Sequence, residues 1–403
     1  MKIVYIATVR FPTEKVHGAA IAKMCEAFIK KGASLEFLVP KRTQSFNLKN
    51  KDWRRFYNIK KGFKVKKLWC LDILAPLGES FSFLKPFSFL LLNFSFHFSL
   101  FFYFIKKEAE IVYTREVLPI PLLLLFKKRI FVELHDWPSG KPANCFYKLF
   151  LKKAQGIICI SPFLVKKAKR VKTPKKIFLS PSAVGQEFFR KLKKKTARKK
   201  LKLPINKKII AYSGKLTKEK GLKTLLAAAK RVSKKKDILF LLIGSSFIAG
   251  EDKEISKIAK KTKNILYLGY KPYNKIPFYL KAADILVLPN SGKTEEKIYK
   301  KYTSPVKLYE YLASGKPVIA SKIPALEKTV EEKRQVLFFK PDNSKELAEK
   351  ILTVLEDKKL ARFLAERGRN FALKHTWDKR SQKVLKFMKH HLGIFIAKII
   401  YVF

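Results

Sequence analysis

The sequence predicts an α/β protein built from two Rossmann-like domains, each a doubly wound parallel sheet. Three observations indicate this fold class. Short apolar runs rich in Ile and Val alternate with segments of helical periodicity, the alternation fills both halves of the chain, and a strongly basic stretch lies between the halves. Runs that are apolar on both faces are typical of buried parallel strands, and helices are their usual crossovers.

The apolar runs give five predicted strands in each half of the chain. They are residues 3–6, 35–39, 111–113, 130–134 and 157–160 in the first half, and 209–212, 238–243, 265–268, 285–288 and 318–320 in the second. Between them, apolar residues three and four positions apart predict helices, for example over 21–31, 222–232 and 306–313. We therefore expect one sheet before the basic stretch and a second sheet after it.

The basic stretch marks the predicted domain boundary. No acidic residue occurs from 188 to 218, and residues 190–200 read RKLKKKTARKK, which is too polar for a buried element. We expect an N-terminal domain over 1–187, a linker over 188–205 and a C-terminal domain over 206–375. Residues 376–403 are expected to form a helix and an apolar tail that pack back on the N-terminal domain.

Composition limits the class of protein. The 403 residues include 88 Lys and Arg against 31 Asp and Glu, a formal net charge of +57, and 47% are hydrophobic, which excludes a disordered chain. The charge is compatible with binding to nucleic acid, with an anionic membrane or acidic substrates, and with a composition bias spread over solvated faces. The four cysteines are far apart and form no CxxC pair, which argues against a disulfide framework or a zinc site; they are Cys25, Cys70, Cys145 and Cys159.

Three segments indicate whether the protein is exported and whether it contacts a membrane. Residues 1–10 lack the long apolar region and cleavage pattern of a signal peptide, so we interpret them as the first strand and expect a cytoplasmic protein. Residues 87–105 hold 19 residues without a formal charge, close to the roughly 20 that span a bilayer. A spanning helix would separate strands of one sheet, so a helix buried in the first domain or lying on a membrane surface is expected. The apolar residues 394–403 are too short to span and could add to that contact.

The first candidate binding loop is SGKLTKEKG, from Ser213 to Gly221, which follows a predicted strand and opens a helix. A glycine-containing loop at this position leaves backbone N–H groups free, and the helix N-terminus favours an anion. Lys215 and Lys220 add positive charge five residues apart, enough to hold the two phosphates of a nucleotide sugar.

The second candidate is SPVKLYEYLASG, over residues 304–315. Ser304 suits an N-cap and Pro305 the first helical position, so the free amides of this helix start can also face a phosphate. Glu310, nearly two turns into the helix, is placed to accept hydrogen bonds from sugar hydroxyls, as acidic residues do for a ribose. The alternative is an exposed helical Glu without a role in binding.

The third candidate is His135, which follows a predicted strand and precedes Asp136 and the turn at Trp137 and Pro138. Ligands of open α/β sheets bind at the carboxyl ends of the strands, which is where this histidine is expected. A histidine used only for packing or capping is the alternative. His97, His375, His390 and His391 lack such a context, and we interpret them as structural or exposed.

Taken together, these motifs resemble those of glycosyltransferases of the GT-B class, in the retaining group called family four. The resemblance covers nearly the whole chain and is specific because seven stretches occur in the expected order. They are RFPTEKVHG (10–18) leading into AKMCEAFIKKG, YTRE (113–116), ELHDWP (133–138), ISPFL (160–164), SGKLTKEKGL (213–222), LGYKPYNKIPFYLKAADILVLPN (268–290) and SPVKLYEYLASGKPVIAS (304–321).

The resemblance implies a GT-B fold whose two domains face a cleft, and it implies a role for each matching position. Lys215, where the family more often has Arg, and Lys220 would hold the donor diphosphate, and Glu310 the ribose. A loop with His17 and Gly18 would meet the pyrophosphate or the acceptor, His135 would lie by the donor sugar, and the backbone of 269–271 would contact the base. The implied catalytic residues are His135, Lys215 and Lys220, and the implied donor-binding residues are Gly18, Gly214, Tyr270, Lys271, Ser304, Pro305, Val306 and Glu310.

One position departs from the family pattern. The first of two glutamates spaced by seven residues would fall at position 302, where this chain has Tyr302. A subgroup with SP-x-K in this loop often lacks that glutamate, so activity is still expected, but recognition of the donor sugar by that carboxylate is absent. Glu295 and Glu296 lie nearby in sequence and could substitute for it.

The expected function is therefore transfer of a sugar, by a hexosyltransferase-like enzyme, from a nucleotide-diphosphate sugar to a glycan, lipid-linked or other acceptor. The resemblance implies retention of the anomeric configuration. No clear DxD motif is present, and neither a metal nor another cofactor is expected. A place in cell-surface glycan synthesis and a peripheral contact with the anionic inner face of the membrane are further expectations.

Two other functions stay open at this point. Tyr302 is compatible with a catalytically inactive GT-B relative that acts as a binding or scaffold protein. The +57 charge is compatible with a polyanion-binding protein, although no signature of a nucleic-acid-binding module is present and no specific nucleic acid is expected.

Overall fold

A computed structural model describes residues 1–44, 48, 51–73, 85–107, 111–235, 237–246, 250–293 and 305–393. The chain forms two compact units. Unit 1 comprises Met1–Pro181 and the C-terminal stretch that begins at Trp377, and unit 2 comprises Ser182–Thr376. Ser304, Tyr302, Glu295, Glu296 and the apolar tail 394–403, all named above, lie outside the described residues.

Unit 1 contains a sheet of seven parallel strands in the order β3-β2-β1-β4-β5-β6-β7. The strands are β1 (Lys2–Ile6), β2 (Ser34–Pro40), β3 (Lys64–Leu68), β4 (Ile111–Thr114), β5 (Arg129–Leu134), β6 (Gly156–Cys159) and β7 (Ile177–Leu179). Its helices up to residue 181 are α1 (Val16–Lys30), α2 (Trp53–Tyr57), α3 (Lys85–Lys106), α4 (Ile120–Leu125), α5 (Lys141–Leu151) and α6 (Pro162–Ala168).

Unit 2 contains a sheet of six parallel strands in the order β10-β9-β8-β11-β12-β13. The strands are β8 (Lys208–Ser213), β9 (Ile238–Ile243), β10 (Ile265–Tyr267), β11 (Ile285–Leu288), β12 (Val318–Ser321) and β13 (Leu337–Phe339). Its helices are α7 (Lys194–Lys200), α8 (Leu222–Arg231), α9 (Glu251–Lys261), α10 (Ile276–Ala282), α11 (Val306–Ala313), α12 (Pro324–Glu327), α13 (Ser344–Glu356) and α14 (Lys358–Leu373).

Both faces of the second sheet are covered by apolar packing. Ile209 and Ala211 of β8 belong to one apolar cluster, whereas Ile210 and Tyr212 belong to another. Because alternate residues of a strand point to opposite faces, helices must cover both sides of this sheet. The ten predicted strands are all present, and the prediction of two doubly wound parallel sheets is confirmed.

The last described helix, α15 (Trp377–His391), belongs to unit 1 and packs beside α1. Phe387 on α15 stacks on Phe178 of β7 with 5.3 Å between ring centroids, and it meets Phe131 of β5 edge-on at 6.2 Å. Unit 1 is therefore made of two stretches of chain that are separated in sequence by all of unit 2.

Residues 188–205 lie within unit 2 rather than between the units. Phe188, Phe189 and Ala197 are buried in its core, whereas the lysines of the charge run, together with Arg190 and Thr196, face the solvent. Arg198 is fully buried as well, because it pairs with Asp284 at 2.6 Å and donates to the backbone carbonyls of Ala282 and Lys207. Unit 1 accordingly ends at 181 and not at 187.

The charge-free segment forms the helix α3. Among the described residues, one helix, Pro86–Lys106, is long and apolar enough to cross a membrane, a test that the core helix of a soluble protein also passes. In the sequence α3 follows β3 and precedes β4, and both strands belong to one sheet. A helix that spanned a bilayer would place those strands on opposite sides of it, so α3 does not span.

Candidate active site

Several polar side chains of unit 1 follow the carboxyl ends of β1, β4 and β5, which are neighbours in the sheet. His135 follows β5, Arg115 and Glu116 follow β4, and His17 lies on α1, the helix after β1. His17 and Gly18 were expected in a loop, but α1 begins at Val16, so both lie in its first turn. The carboxyl ends of parallel strands meet at one edge, which brings these groups together.

Glu133, the residue before the end of β5, organises this edge. Its carboxylate is buried and accepts hydrogen bonds from the Tyr113 hydroxyl, from Arg380 Nη2 at 2.8 Å and from His135 Nε2 at 2.7 Å. Burial by itself would raise the pKa of Glu133, but Arg380, His135 and Arg115 together outweigh this effect and hold that pKa well below its usual range. Glu133 is therefore a carboxylate, which fixes the orientation of the imidazole of His135.

Both histidines at this edge are neutral at physiological pH. Burial and the nearby Arg115 lower the pKa of His135 to about 4 and the pKa of His17 to about 3. Since the Glu133 carboxylate can only accept, the proton of His135 lies on Nε2 and leaves Nδ1 as an acceptor. A neutral imidazole with this tautomer can accept a hydrogen bond from a sugar hydroxyl.

Glu116 is a second acidic group at the same edge. Its Oε1 accepts from the backbone N–H of Thr8 at 3.1 Å, whereas its buried Oε2 has no hydrogen-bond partner among the described residues. Burial raises the pKa of Glu116 to about 7, and Arg115 offsets part of this rise. A buried carboxyl oxygen without a partner is costly, and a ligand hydroxyl would satisfy it.

Gly18 has a packing role in the structure. A Cβ at this position would lie 2.3 Å from the Tyr57 hydroxyl and 2.6 Å from Thr13 Cγ2. The Tyr57 hydroxyl both accepts from the N–H of Thr13 and donates to its carbonyl, which holds the loop before α1. The glycine is required for this close approach, and its expected contact with the pyrophosphate stays a prediction.

In unit 2, the loop after β8 adjoins a half-buried lysine, Lys307, that the sequence analysis did not single out. Gly214 has a φ of 145°, and a Cβ there would lie 1.6 Å from Lys307 Nζ. Only a glycine leaves room for the ammonium group, which lies 5.2 Å from the ring centroid of Tyr212 and 3.5 Å from its hydroxyl. Lys307 comes from α11, so this contact joins the two candidate phosphate-binding motifs.

The electrostatics of Lys307 indicate a site for an anion. Burial and the proximity of Lys220 lower the pKa of Lys307 to about 7, while Glu310 acts in the opposite direction. Lys215 is exposed in the same loop. The ammonium groups of Lys220 and Lys307 repel each other next to a helix N-terminus. A bound diphosphate would stabilise the charged form of both.

Glu310 is buried on α11, with 4% of its surface exposed, so the alternative of an exposed helical glutamate is wrong. Its Oε1 accepts from the Tyr273 hydroxyl at 2.8 Å. Burial raises the pKa of Glu310 to about 7, and Tyr273 and Lys307 counteract this rise. The carboxyl group is held in one place and lies within the electrostatic range of Lys307.

The remaining predicted donor residues lie on neighbouring loops of unit 2. Tyr270 and Lys271 follow β10, and the three loops after β8, β9 and β10 are joined by hydrogen bonds between backbones. The N–H of Gly214 donates to the carbonyl of Ile243 at 2.8 Å, and that of Gly244 donates to Gly269 at 2.9 Å. The loops therefore form one continuous rim at the carboxyl edge of the sheet.

The start of α11 differs by one position from the prediction. Val306 is the first helical residue and Pro305 is the N-cap, with an extended backbone at φ −76° and ψ 101°. Proline was expected at the first helical position, but its carbonyl instead accepts the first helical hydrogen bond, from the N–H of Leu308 at 3.0 Å. Val306 is half-buried at the helix N-terminus, where a free backbone N–H can face an anion.

No group of three or more His, Cys, Asp or Glu side chains that could hold a metal ion occurs among the described residues. Sequence reasoning missed Lys307, Arg380 and Glu116 as site residues, although the first and last stand in stretches that carry the family resemblance. No local motif in the sequence indicates Arg380 as a site residue, because its partner Glu133 lies 247 residues earlier in the chain.

Known proteins resemble this chain at two levels. Residues 193–371, less than half of the chain, match the family described as Glycosyl transferases group 1. A curated relative is the N,N'-diacetylbacillosaminyl-diphospho-undecaprenol alpha-1,3-N-acetylgalactosaminyltransferase of Campylobacter jejuni, which is 30% identical over 188 residues, covering 46% of this chain and 45% of that protein. The chain spans less than half the length of the curated relatives that it matches.

Solved structures match over almost the whole chain. The sucrose-phosphate synthase of Thermosynechococcus elongatus superposes with a TM-score of 0.73 and 19% identity over 98% of this chain and 100% of that chain. HepE of Anabaena, solved in complex with UDP-glucose, gives a TM-score of 0.69 and 16% identity over 97% of this chain and 100% of that chain. Likenesses at these identities establish the fold, and the predicted GT-B fold of two Rossmann-like units is confirmed.

Proposed function

We propose that this chain is a glycosyltransferase that moves a sugar from a nucleotide-diphosphate donor to a glycan or lipid-linked acceptor. The observation that carries the proposal is the meeting of Lys307 with the glycine-containing loop of Lys215 and Lys220 in unit 2. This unit contains the stretch that matches the glycosyl transferase family. A nucleotide diphosphate supplies the two negative charges that such a site lacks.

The proposed chemistry depends on the charge that grows on the leaving group. Cleavage of the bond between the anomeric carbon and the diphosphate oxygen leaves negative charge on the diphosphate and an oxocarbenium-like sugar. Lys215, Lys220 and Lys307 would stabilise that charge more in the transition state than in the ground state. With the positive charge supplied by lysines, we propose that the reaction needs no metal ion.

We also propose retention of the anomeric configuration, as in retaining family 4. The acceptor oxygen would attack from the face that the diphosphate leaves, and a phosphate oxygen would take its proton, so no carboxylate nucleophile is needed. Neutral His135 would accept a hydrogen bond from a hydroxyl of the donor sugar, because its Nδ1 carries the lone pair. Glu116 would bind a hydroxyl of the acceptor through its unpaired Oε2.

A lipid-linked acceptor is supported by one comparison. The Campylobacter jejuni relative is named for an undecaprenol-linked acceptor. We propose that this chain acts in the cytoplasm on a precursor of a cell-surface glycan and makes peripheral contact with the inner face of the membrane. Such contact would bring the enzyme to the headgroup that carries the acceptor.

The donor is tested by thermal shift with UDP-, GDP- and ADP-sugars, because a ligand that binds the folded state raises the melting temperature by mass action. We expect one nucleotide to stabilise the protein. Lys220→Ala should remove this stabilisation, whereas Lys223→Ala, which changes an exposed lysine on the next helix, should keep it. Equal stabilisation of both variants would refute the assignment of Lys220 to the diphosphate.

Tyr302 favours one other function, a GT-B protein that binds a donor without transferring the sugar. Such a protein would show the thermal shift but no turnover. Tyr302→Glu restores the carboxylate of the family pattern. A gain of transfer activity in this variant, from an inactive wild type, would support the binding function, whereas wild-type turnover would exclude it.

A further inference from the structure

The outward face of α3 is apolar along its whole length. Six large side chains, spaced three or four residues apart, form a continuous exposed stripe on this helix, which we call the α3 stripe: Phe87, Leu90, Phe94, Phe98, Phe101 and Ile105. Leu90 and Phe94 are 64% and 73% exposed. Trp69 and Leu71 extend the exposed apolar surface, since the backbone of 69–71 is hydrogen-bonded to Ser95 and Ser99 of the helix.

Three polar residues of α3, Ser88, Asn93 and Ser95, are buried in unit 1. Asn93 is 5% exposed and donates to the carbonyl of Phe89 at 2.7 Å, and buried Ser95 donates to Leu91 and accepts from the N–H of Leu71. A helix that faces water places polar residues outward and apolar ones inward. In α3 the outward face is apolar and the buried face carries the polar groups, so the outward face suits an apolar surrounding.

Lysines surround the C-terminal end of α3. Lys66 Nζ lies 5.0 Å from the ring centroid of Tyr103, Lys107 Nζ lies 5.7 Å from the same centroid, and Lys128 Nζ lies 5.9 Å from that of Phe104. Lys106 is the last residue of the helix and is exposed. In the described part of the chain, Glu36 is the acidic group facing this end, where it pairs with Lys107 and Lys64 and accepts from the Tyr103 hydroxyl. The charge that the described residues place beside the stripe is therefore positive; Glu108 and Glu110, which follow the helix in the sequence, lie outside those residues.

We infer that the α3 stripe inserts into the headgroup region of an anionic lipid membrane, with the helix parallel to the surface and the lysines among the headgroups. The α3 stripe and the neighbouring lysines both suit such a surface. The apolar side chains would enter the boundary between headgroups and acyl chains, and the ammonium groups would attract anionic lipid. The outward face offers a protein partner few groups for specific hydrogen bonds. The inference deepens the proposed peripheral location and does not depend on the proposed sugar transfer.

The depth of insertion is limited by the buried side of the helix. Phe96 and Leu100 are fully buried in unit 1, so α3 cannot leave the unit without exposing its core. The helix therefore contributes one face to the membrane while its other face stays in the fold. This geometry anchors unit 1 without requiring any strand to cross the bilayer.

The test is flotation of the full chain with two kinds of vesicle, pure phosphatidylcholine and phosphatidylcholine with about 30% phosphatidylglycerol. We expect binding to the anionic vesicles and a weaker interaction with the neutral ones. Leu90→Glu/Phe94→Glu should lower the partition coefficient by about tenfold or more, because two charges would have to enter the apolar region. The matched variant Leu149→Glu/Phe363→Glu, which changes two exposed apolar residues elsewhere, should bind like the wild type.

Three results would overturn the inference. They are absence of binding to anionic vesicles, equal losses in the two double variants, and a dimer in lipid-free buffer that Leu90→Glu/Phe94→Glu dissociates, which would assign the stripe to a second copy of the chain. Phe94→Trp keeps the inference testable if the double variant misfolds. Its added fluorescence should be quenched by brominated lipids, whereas that of Leu149→Trp should not.

The same samples separate this inference from the proposed function. The side chains of Leu90 and Phe94 are exposed, so the double variant should keep the thermal shift with the stabilising nucleotide sugar. Loss of vesicle binding with an unchanged nucleotide response would establish the stripe as a membrane contact independent of donor binding.

Discussion

At the scale of single residues, the significance of a charge depends on where the fold places it. Lys307 is one of 88 cationic residues, and although it is the lysine of the SP-x-K motif, the sequence does not show where its ammonium group lies. In the fold its Nζ lies against Gly214, beside the ring of Tyr212 and near Lys220. Burial next to a like charge makes this lysine respond to pH and to a bound anion.

We predict that donor binding at pH 8 is coupled to uptake of about one proton by Lys307. In the free protein its pKa of about 7 leaves the amine mostly neutral at this pH, and a bound diphosphate would raise that pKa and protonate it. Glu310, also with a pKa near 7, is already ionised at pH 8 and contributes little. Calorimetry in two buffers of different ionisation enthalpy measures the uptake.

The variant Lys307→Met should bind the donor more weakly and without this proton uptake. Lys223→Met, which removes an exposed lysine of α8, serves as the control and should behave like the wild type. An unchanged proton uptake in Lys307→Met would show that another group titrates on binding.

For His135 we predict that substitution by Ala abolishes transfer and leaves donor affinity within a few-fold of the wild type. The reason is that His135 belongs to unit 1, whereas the lysines proposed to hold the diphosphate belong to unit 2. Turnover and calorimetric affinity are measured on the same preparation. His390→Ala, which changes an exposed histidine, should be fully active, and normal turnover in His135→Ala would refute its role.

At the scale of elements, the helix α15 contributes to the candidate site through Arg380. Its guanidinium group pairs with Glu133 at 2.8 Å and donates to the carbonyls of Pro181 and Ser180 at 2.8 and 3.1 Å. Arg380 is a positioning residue, since it acts on His135 through Glu133. Its contacts fix the helix against the first sheet and keep the carboxylate ionised.

We predict that Arg380→Met destabilises the protein by about 3–5 kcal/mol, because it leaves the buried Glu133 carboxylate without its cation. The double variant Glu133→Gln/Arg380→Met should recover part of this loss, since no buried charge then lacks a partner. Urea unfolding measures both. Lys235→Met, which breaks an exposed pair with Glu356 at 3.4 Å, should cost no more than about 1 kcal/mol. Equal costs for the two single variants would contradict the prediction.

The strands that sequence patterns missed are all at sheet edges. β3 and β7 are the two edges of the first sheet, and β13 is one edge of the second. β3 reads KVKKL and is largely exposed, as edge strands commonly are, and the other two have only three residues each. A buried central strand is indicated by a continuous apolar run, whereas β3 is too polar and β7 and β13 are too short to be predicted from their patterns.

The candidate site was predictable where its residues stand in a local motif. Lys215, Lys220, Glu310 and His135 follow from strand and helix boundaries that the sequence shows. Arg380 and the orientation of Lys307 depend on contacts between distant segments, which no spacing along the chain reveals. The predicted linker erred for the same reason, since the burial of Arg198 requires its partner Asp284.

At the scale of the whole molecule, the net charge of +57 is shared between many exposed lysines and a few that the fold uses. We predict that the protein binds duplex DNA at low salt without sequence preference and releases it at about 0.2 M salt, because contacts with phosphates alone are lost as counterions compete. Electrophoretic shifts across a salt series test this. A complex that persists at physiological salt would favour the polyanion-binding function.

The two-part construction of unit 1 has a consequence for how the protein is made. The ribosome completes Glu133 long before it reaches Arg380, 247 residues later. Unit 2 is one continuous stretch and can fold as it emerges, but unit 1 must wait for α15 to arrive after it. Until then Glu133, on the strand β5 of the first sheet, lacks its counter-ion Arg380. We therefore expect a premature stop before residue 377 to spare unit 2 and to leave unit 1 open to proteolysis.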